Sequence, residues 1–147
     1  LLPTLVGNAK SPEQLENRPL NAVDFVGMLL WGAGWALETA ADFQKSAFRA
    51  DPANAVKFIS TGVWGWGSRQ PNYLGEITLW SGLFLTNSQS FTHPAEYLTV
   101  VSPLWTYLLL RFVSGVPLLE RAGRRKWGSD PNYLKYLANS WPIMFKL

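Results

Sequence analysis

"GWGSRQPNYLGEITLW", Gly65 to Trp80, decides how this chain is read. Its first half has the makings of a turn, with Gly65, Gly67, Arg69 and Pro71 in seven residues. Pro71 suits the first turn of a helix, with Ser68 or Gln70 near the cap. Its second half opens an apolar run to Leu85 that carries Glu76 one turn in. Asn72 and Glu76 are four apart and share a helix face. A guanidinium, an amide and a carboxylate at one helix mouth suit a polar ligand. Arg69 matches phosphate, Asn72 and Glu76 match amide or hydroxyl groups, and the helix end favours an anion. The same three residues also suit a helix cap with exposed charge, and spacing alone does not choose.

On the N-terminal side the spacing predicts a long helix over Ala22–Phe48, with Asn21 as its cap. Val23–Leu37 is apolar except for Asp24, and the run extended through Phe43 reaches the roughly 20 residues that a bilayer needs. Its second half carries Glu38, Asp42, Lys45 and Arg49 within about a 60° arc. Charges at membrane depth face a protein interior or a wet cavity. The alternative is a stripe in water beyond the membrane, with i, i+4 pairing along it. Residues 1–21 are polar and proline-bearing, and read as an extended arm. Pro52 ends the helix, and Trp64 and Trp66 in the linker suit interface anchors.

On the C-terminal side, Asn72–Leu85 is short for a full span, so it is tilted, re-entrant or packed in a bundle. Gly75 and Gly82 would admit a neighbouring helix. A third helix is expected over Tyr97–Phe112, interrupted by Pro103 and ended by Arg111. The tail from Arg121 is basic and aromatic, and "DPNYLKYL" predicts a short amphipathic helix along an interface. Arg121, Arg124, Arg125 and Lys126 fit a membrane-proximal segment and a solvated loop equally.

Composition points the same way. Hydrophobic residues make up 48% and charged residues 16% of the 147, against roughly 25% charged in soluble domains. Trp occurs 8 times. The net charge of +3 is too small to indicate nucleic acid. The lack of Cys excludes disulfides, zinc–thiolate sites and a Cys nucleophile. His93, the one His, reads as a loop residue and cannot build a zinc site without thiols. Walker, HExxH and GxSxG motifs are absent, and no strand precedes "GVWGWG". The expected fold is all-α, an integral membrane bundle of about three embedded helices with an interfacial C-terminal tail. Membrane lipid is its expected partner, in an organelle or an inner membrane.

Three ordered blocks carry a family resemblance. "SRQPNYLGEITLWSGLF" resembles the SRHPNYxGE motif of steroid 5α-reductase-like membrane proteins. "ETAADFQKSAF" resembles the segment preceding that motif, and "SGVPLLE…WGSDPNYLKY" the family's C-terminal block. The likeness covers roughly residues 30–140 and corresponds to the C-terminal half of the family fold, a reductase-like domain over 22–147. Gln70 stands where the motif has His, and "NSWPIMF" departs from the family's usual ending.

The resemblance implies NADPH held in a polar cavity among membrane helices and hydride transfer to a lipid-like enone. By motif position it places Asn72 and Glu76 near the nicotinamide, Asp42 and Arg49 near the nucleotide, and Arg111 as a further phosphate-binding arginine. Arg69 joins the set by its chemistry, and no metal is implied. In the family the groups that polarise the enone come from earlier helices, so a cofactor half-site is the expectation here. Two alternatives stay open. One is a non-catalytic small subunit of a larger respiratory or photosynthetic membrane complex, with other subunits as partners. The other is an isoprenylcysteine-type methyltransferase using S-adenosylmethionine, which shares a similar motif element.

Overall fold

The computed structural model describes residues 2–10 and 19–144, and these are all-helical. The elements in order are α1 (Leu2–Asn8), α2 (Ala22–Ala50), α3 (Pro71–Ser88), α4 (Val101–Leu108), α5 (Val116–Trp127) and α6 (Pro131–Ala138). Short 3-10 turns lie at Pro52–Asn54, Gly62–Gly65 and Pro94–Val100, and a π-turn at Leu109–Val113. The chain forms two compact units. The first comprises Leu1–Trp35 and Glu76–Tyr107, the second Ala36–Gly75 and Leu108–Leu147.

Local chemistry sets the helix ends. Asn21 Oδ1 accepts from the N–H groups of Val23 and Asp24, while Asp24 Oδ2 accepts from Asn21 N at 2.9 Å. This reciprocal cap starts α2 where the sequence places it. The helix stops at Ala50 because Pro52 pushes Asp51 out of the helical region, to φ −83°, ψ 116°. His93 is a cap too. Its Nδ1 accepts from Ala95 N at 3.2 Å, and Glu96 reaches back to His93 N.

In the first unit α2 and α3 touch backbone to backbone. A Cβ on Gly82 would sit 2.5 Å from Gly27 O and 2.5 Å from Trp31 N. This is the close approach that small residues permit between helices. Lys10 ties the α1 end of the unit to Glu96 at 2.5 Å and Thr92 at 2.9 Å. Much apolar surface of the unit stays exposed, Leu29 at 72% and Trp105 at 57% among it.

The second unit closes on Ala41, Ile59, Val63 and Trp64, with Leu37 and Phe48 packed against them. Trp64 Nε1 donates to Ala41 O at 3.0 Å, and Gln44 Oε1 accepts from Val63 N at 3.0 Å. The C-terminal segment after α6 lies against the Gly67–Arg69 turn, with one isolated bridge between Ser68 and Trp141. Trp141 N donates to Gly67 O, Arg69 N to Trp141 O, and Ser68 Oγ to Ile143 O at 2.6 Å.

Several expectations change. The stretch read as an extended arm opens instead with helix α1, since Pro3 sits in a first turn, where its missing N–H costs nothing. Residues 11–18 of that arm lie outside the described residues. Pro103 does not interrupt the third helix, because it too falls in a first turn, that of α4. The break comes later, at the π-turn and Gly115. The short helix expected in the tail is present as α6, and it turns Tyr133 into the second unit, where it is buried. Among the described residues one helical stretch, Pro94–Trp127, is long and apolar enough to cross a membrane.

Candidate functional site: a cation-lined aromatic cavity

The second unit contains a cavity of about 230 Å³. The charged stripe of α2 supplies Lys45 and Arg49, the SRQ turn supplies Arg69 and Gln70, and α5 supplies Glu120 and Lys126. Aromatic side chains from the linker, α5 and α6 complete the wall. Phe58 packs edge-on to Tyr133 at 5.2 Å and to Trp127 at 6.1 Å, and tilted to Tyr136 at 5.5 Å. Tyr136 Oη donates to Trp64 O at 3.0 Å and so fastens α6 to the linker.

The cavity is electropositive. Lys45 Nζ lies 5.3 Å from the Trp64 ring centre. Arg49 lies 5.7 Å from that of Trp127 and donates to Lys57 O at 3.0 Å. Lys126 donates to Ala55 O at 2.7 Å and sits over Trp127 at 5.0 Å. The carboxylate on the wall is Glu120, and Arg69 holds it. Three cations thus rest on rings and carbonyls, an arrangement that suits an anion beside a flat aromatic group. Burial first, then the Glu120 charge, raises the Tyr133 hydroxyl above its ordinary value. Burial raises Tyr136 to about 12. Both are therefore neutral hydroxyls at physiological pH.

Gln70 is 8% exposed, lines the cavity, and its Oε1 is buried without a hydrogen-bond partner. A buried acceptor left unmatched costs on the order of 1–3 kcal/mol. Tyr133 is 6% exposed, and its hydroxyl fits over Gly123, where any Cβ would collide with it. The wall thus combines cations, ring faces and an unmatched amide oxygen.

Of the residues that the sequence offered for cofactor binding, Arg49 and Arg69 line this cavity. Asp42 and Asn72 are brought together beside each other rather than on its wall, with Asn72 Nδ2 donating to Asp42 Oδ1 at 3.2 Å. Asn72 Oδ1 is buried and unpartnered as well. Glu76 belongs to the α3 segment of the first unit and is not on the wall. Arg111 lies in the π-turn, 5.0 Å from the Phe112 ring, and is not on the wall either.

Arg69 has structural duties. It donates to Glu120, to Leu137 O at 3.1 Å and to Ser140. The Ser68–Arg69 pair is thus a clasp that closes the C-terminal chain onto the turn. Phe58, Lys126, Trp127, Tyr133 and Tyr136 were not singled out as site residues. The signal available was the density of aromatics in "KWGSDPNYLKY", which composition alone assigned to an interface.

Residues 1–140 match a family described as protein of unknown function (DUF1295). No curated protein and no solved structure matches the chain.

Proposed function

We infer that this chain, which belongs to the DUF1295 family of proteins of unknown function, is the cofactor-holding half of a membrane reductase. It would hold the phosphate-bearing part of NADPH in the cavity of its second unit. The observation that carries this is the conjunction of Lys45, Arg49 and Lys126 with the unmatched Gln70 oxygen on one aromatic wall. The residues fit the group. Cations meet phosphate, the Trp127 and Phe58 rings meet a base or ribose face, and Gln70 accepts from an amine or hydroxyl. A volume of about 230 Å³ is below the roughly 300–1,000 Å³ of pockets that enclose a whole ligand. It therefore receives one end of a dinucleotide. Bound NADPH would supply a hydride to a lipid-like enone. Lys45, Arg49 and Lys126 would neutralise the phosphates, and Tyr133 and Tyr136 would stay neutral and leave that field undiminished. S-adenosylmethionine carries a sulfonium, so a cationic wall disfavours the methyltransferase alternative. The apolar Pro94–Trp127 stretch and the exposed apolar side chains of the first unit support a location in a membrane.

The test is NADPH titration of the full chain in mild detergent, read by quenching of tryptophan fluorescence. Trp64 and Trp127 line the cavity and should report binding. Arg49→Ala and Lys45→Ala should each weaken binding about tenfold, the scale of one charge-assisted contact. Equal quenching by the wild type and the double variant would sink the cavity assignment.

A second proposal, the non-catalytic scaffold, is favoured by one observation: Ser68 and Arg69 are committed to closing the fold. In that case NADPH would not quench at millimolar concentration, and the chain would copurify in a large assembly.

A further inference from the structure

We propose that the outward face of α5 binds the anionic headgroups of a lipid surface. The four cations that the sequence groups together divide in the structure. At 100° per residue, Leu119, Gly123, Lys126 and Trp127 fall on one side of α5, and all four line the cavity. Leu118, Arg121 and Arg125 fall on the opposite side, with Arg124 beside them, and all four are exposed. Lys126 donates to Ala55 O, whereas Arg121 and Arg125 are exposed and make no hydrogen bond or ion pair among the described residues. The acid of this helix, Glu120, is held by Arg69 and does not offset them.

Two further features commit the face to lipid rather than to a free anion. Leu118 is 55% exposed in the midst of the arginines. Phe112 and Val113, exposed at 58% and 63%, stand at the π-turn that ends the apolar part of Pro94–Trp127. Immediately afterwards the backbone leaves helical geometry at Gly115, with ψ −91°, and α5 begins. An apolar stretch, a break and a basic amphipathic helix in succession is the arrangement that places arginines among phosphates and leucines among acyl chains.

The experiment uses the full chain in mild detergent and follows its thermal unfolding midpoint against added short-chain phosphatidylglycerol, phosphatidylcholine or inorganic phosphate. Phosphatidylglycerol is expected to raise the midpoint, and the other two to leave it unchanged. Arg121→Gln/Arg125→Gln should weaken the apparent affinity for phosphatidylglycerol roughly 25-fold, about fivefold per arginine. High salt should reduce the wild-type response in the same direction. Equal stabilisation by phosphatidylcholine would reduce the face to apolar contact. A phosphate response would make it a free-anion site. A salt-insensitive response, or a full response from the double variant, would place the lipid elsewhere. Each of these overturns the proposal.

Discussion

Arg69 directs two N–H groups at a single oxygen of Glu120, Nε at 2.9 Å and Nη2 at 2.6 Å to Oε1. The same guanidinium donates to the carbonyls of Leu137 and Ser140, beyond a 51-residue gap to its acidic partner and 68 or more to the others. The two ends of this contact are therefore unequal. Arg69→Ala removes donors from two part-buried carbonyls as well as from the carboxylate. It should cost about 3 kcal/mol. Glu120→Gln keeps an acceptor oxygen and should cost about 1 kcal/mol. In the double variant the loss should stay near that of Arg69→Ala alone. Thermal unfolding in mild detergent measures all three, and strict additivity would show that the two side chains act independently.

Gly27 and Gly82 set the helix contact of the first unit. A methyl group on Gly82 meets backbone atoms at 2.5 Å, which cannot rotate away. Gly82→Ala should destabilise by about 2 kcal/mol through forced separation of α2 and α3. Gly32 lies on the same helix α2, with nothing within 4 Å of its would-be Cβ. Gly32→Ala should be neutral or stabilising by up to about 1 kcal/mol, since helix propensity is then all that changes. A comparable loss at both positions would mean that the close approach is not what Gly82 provides.

What could be read in the sequence follows the range of the forces involved. Helix starts were legible because they depend on neighbours: Asn21 with Asp24 gives a cap, and Asp51 before Pro52 gives a stop. Asp130 before Pro131 likewise starts the short helix expected there, with its side chain accepting from Asn132 N at 2.8 Å. Two prolines misled, since Pro3 and Pro103 lie in first turns where the ring is tolerated. The stripe on α2 was legible as a face, and Lys45 and Arg49 do meet a cavity. What periodicity could not supply was pairing at long separation. Nothing local tells that Arg69 will take Glu120, or that Tyr136 will reach Trp64 O across 72 residues. The aromatic C-terminal segment was therefore legible as a short helix, but not the cavity that its tyrosines Tyr133 and Tyr136 line.

Tyr136 makes stability depend on alkaline pH. Its hydroxyl is raised to about 12, chiefly by burial, against about 10 in an unfolded chain. The folded state thus holds this proton more tightly than the unfolded state. The contribution is complete below pH 10 and is lost as the pH rises from 10 to 12, about 3 kcal/mol in all. Tyr136→Phe removes the bond to Trp64 O and should cost about 1 kcal/mol at pH 8. Unlike the wild type, it has no phenol to ionise. The difference between wild type and Tyr136→Phe should therefore shrink above pH 10 and change sign by about pH 12. Denaturation midpoints of the two proteins, compared across that range, check the sign directly. A constant gap would show that the hydroxyl titrates normally.

Gln70 links stability to binding. Its Oε1 is buried and unmatched on the cavity wall, a state that lowers the stability of the ligand-free protein. A leucine there has similar bulk and no polar atom to desolvate. Gln70→Leu should therefore stabilise the ligand-free chain by about 1 kcal/mol. If the cavity holds the nucleotide, the same substitution should weaken NADPH about tenfold, because a group that the amide would accept from is left unpaired. The two measurements are independent: thermal unfolding without nucleotide, and fluorescence titration with it. Stabilisation together with weaker binding is the pattern of a site kept at the expense of stability. Stabilisation with unchanged binding would remove Gln70 from the site, and destabilisation would show that its amide is matched within the fold.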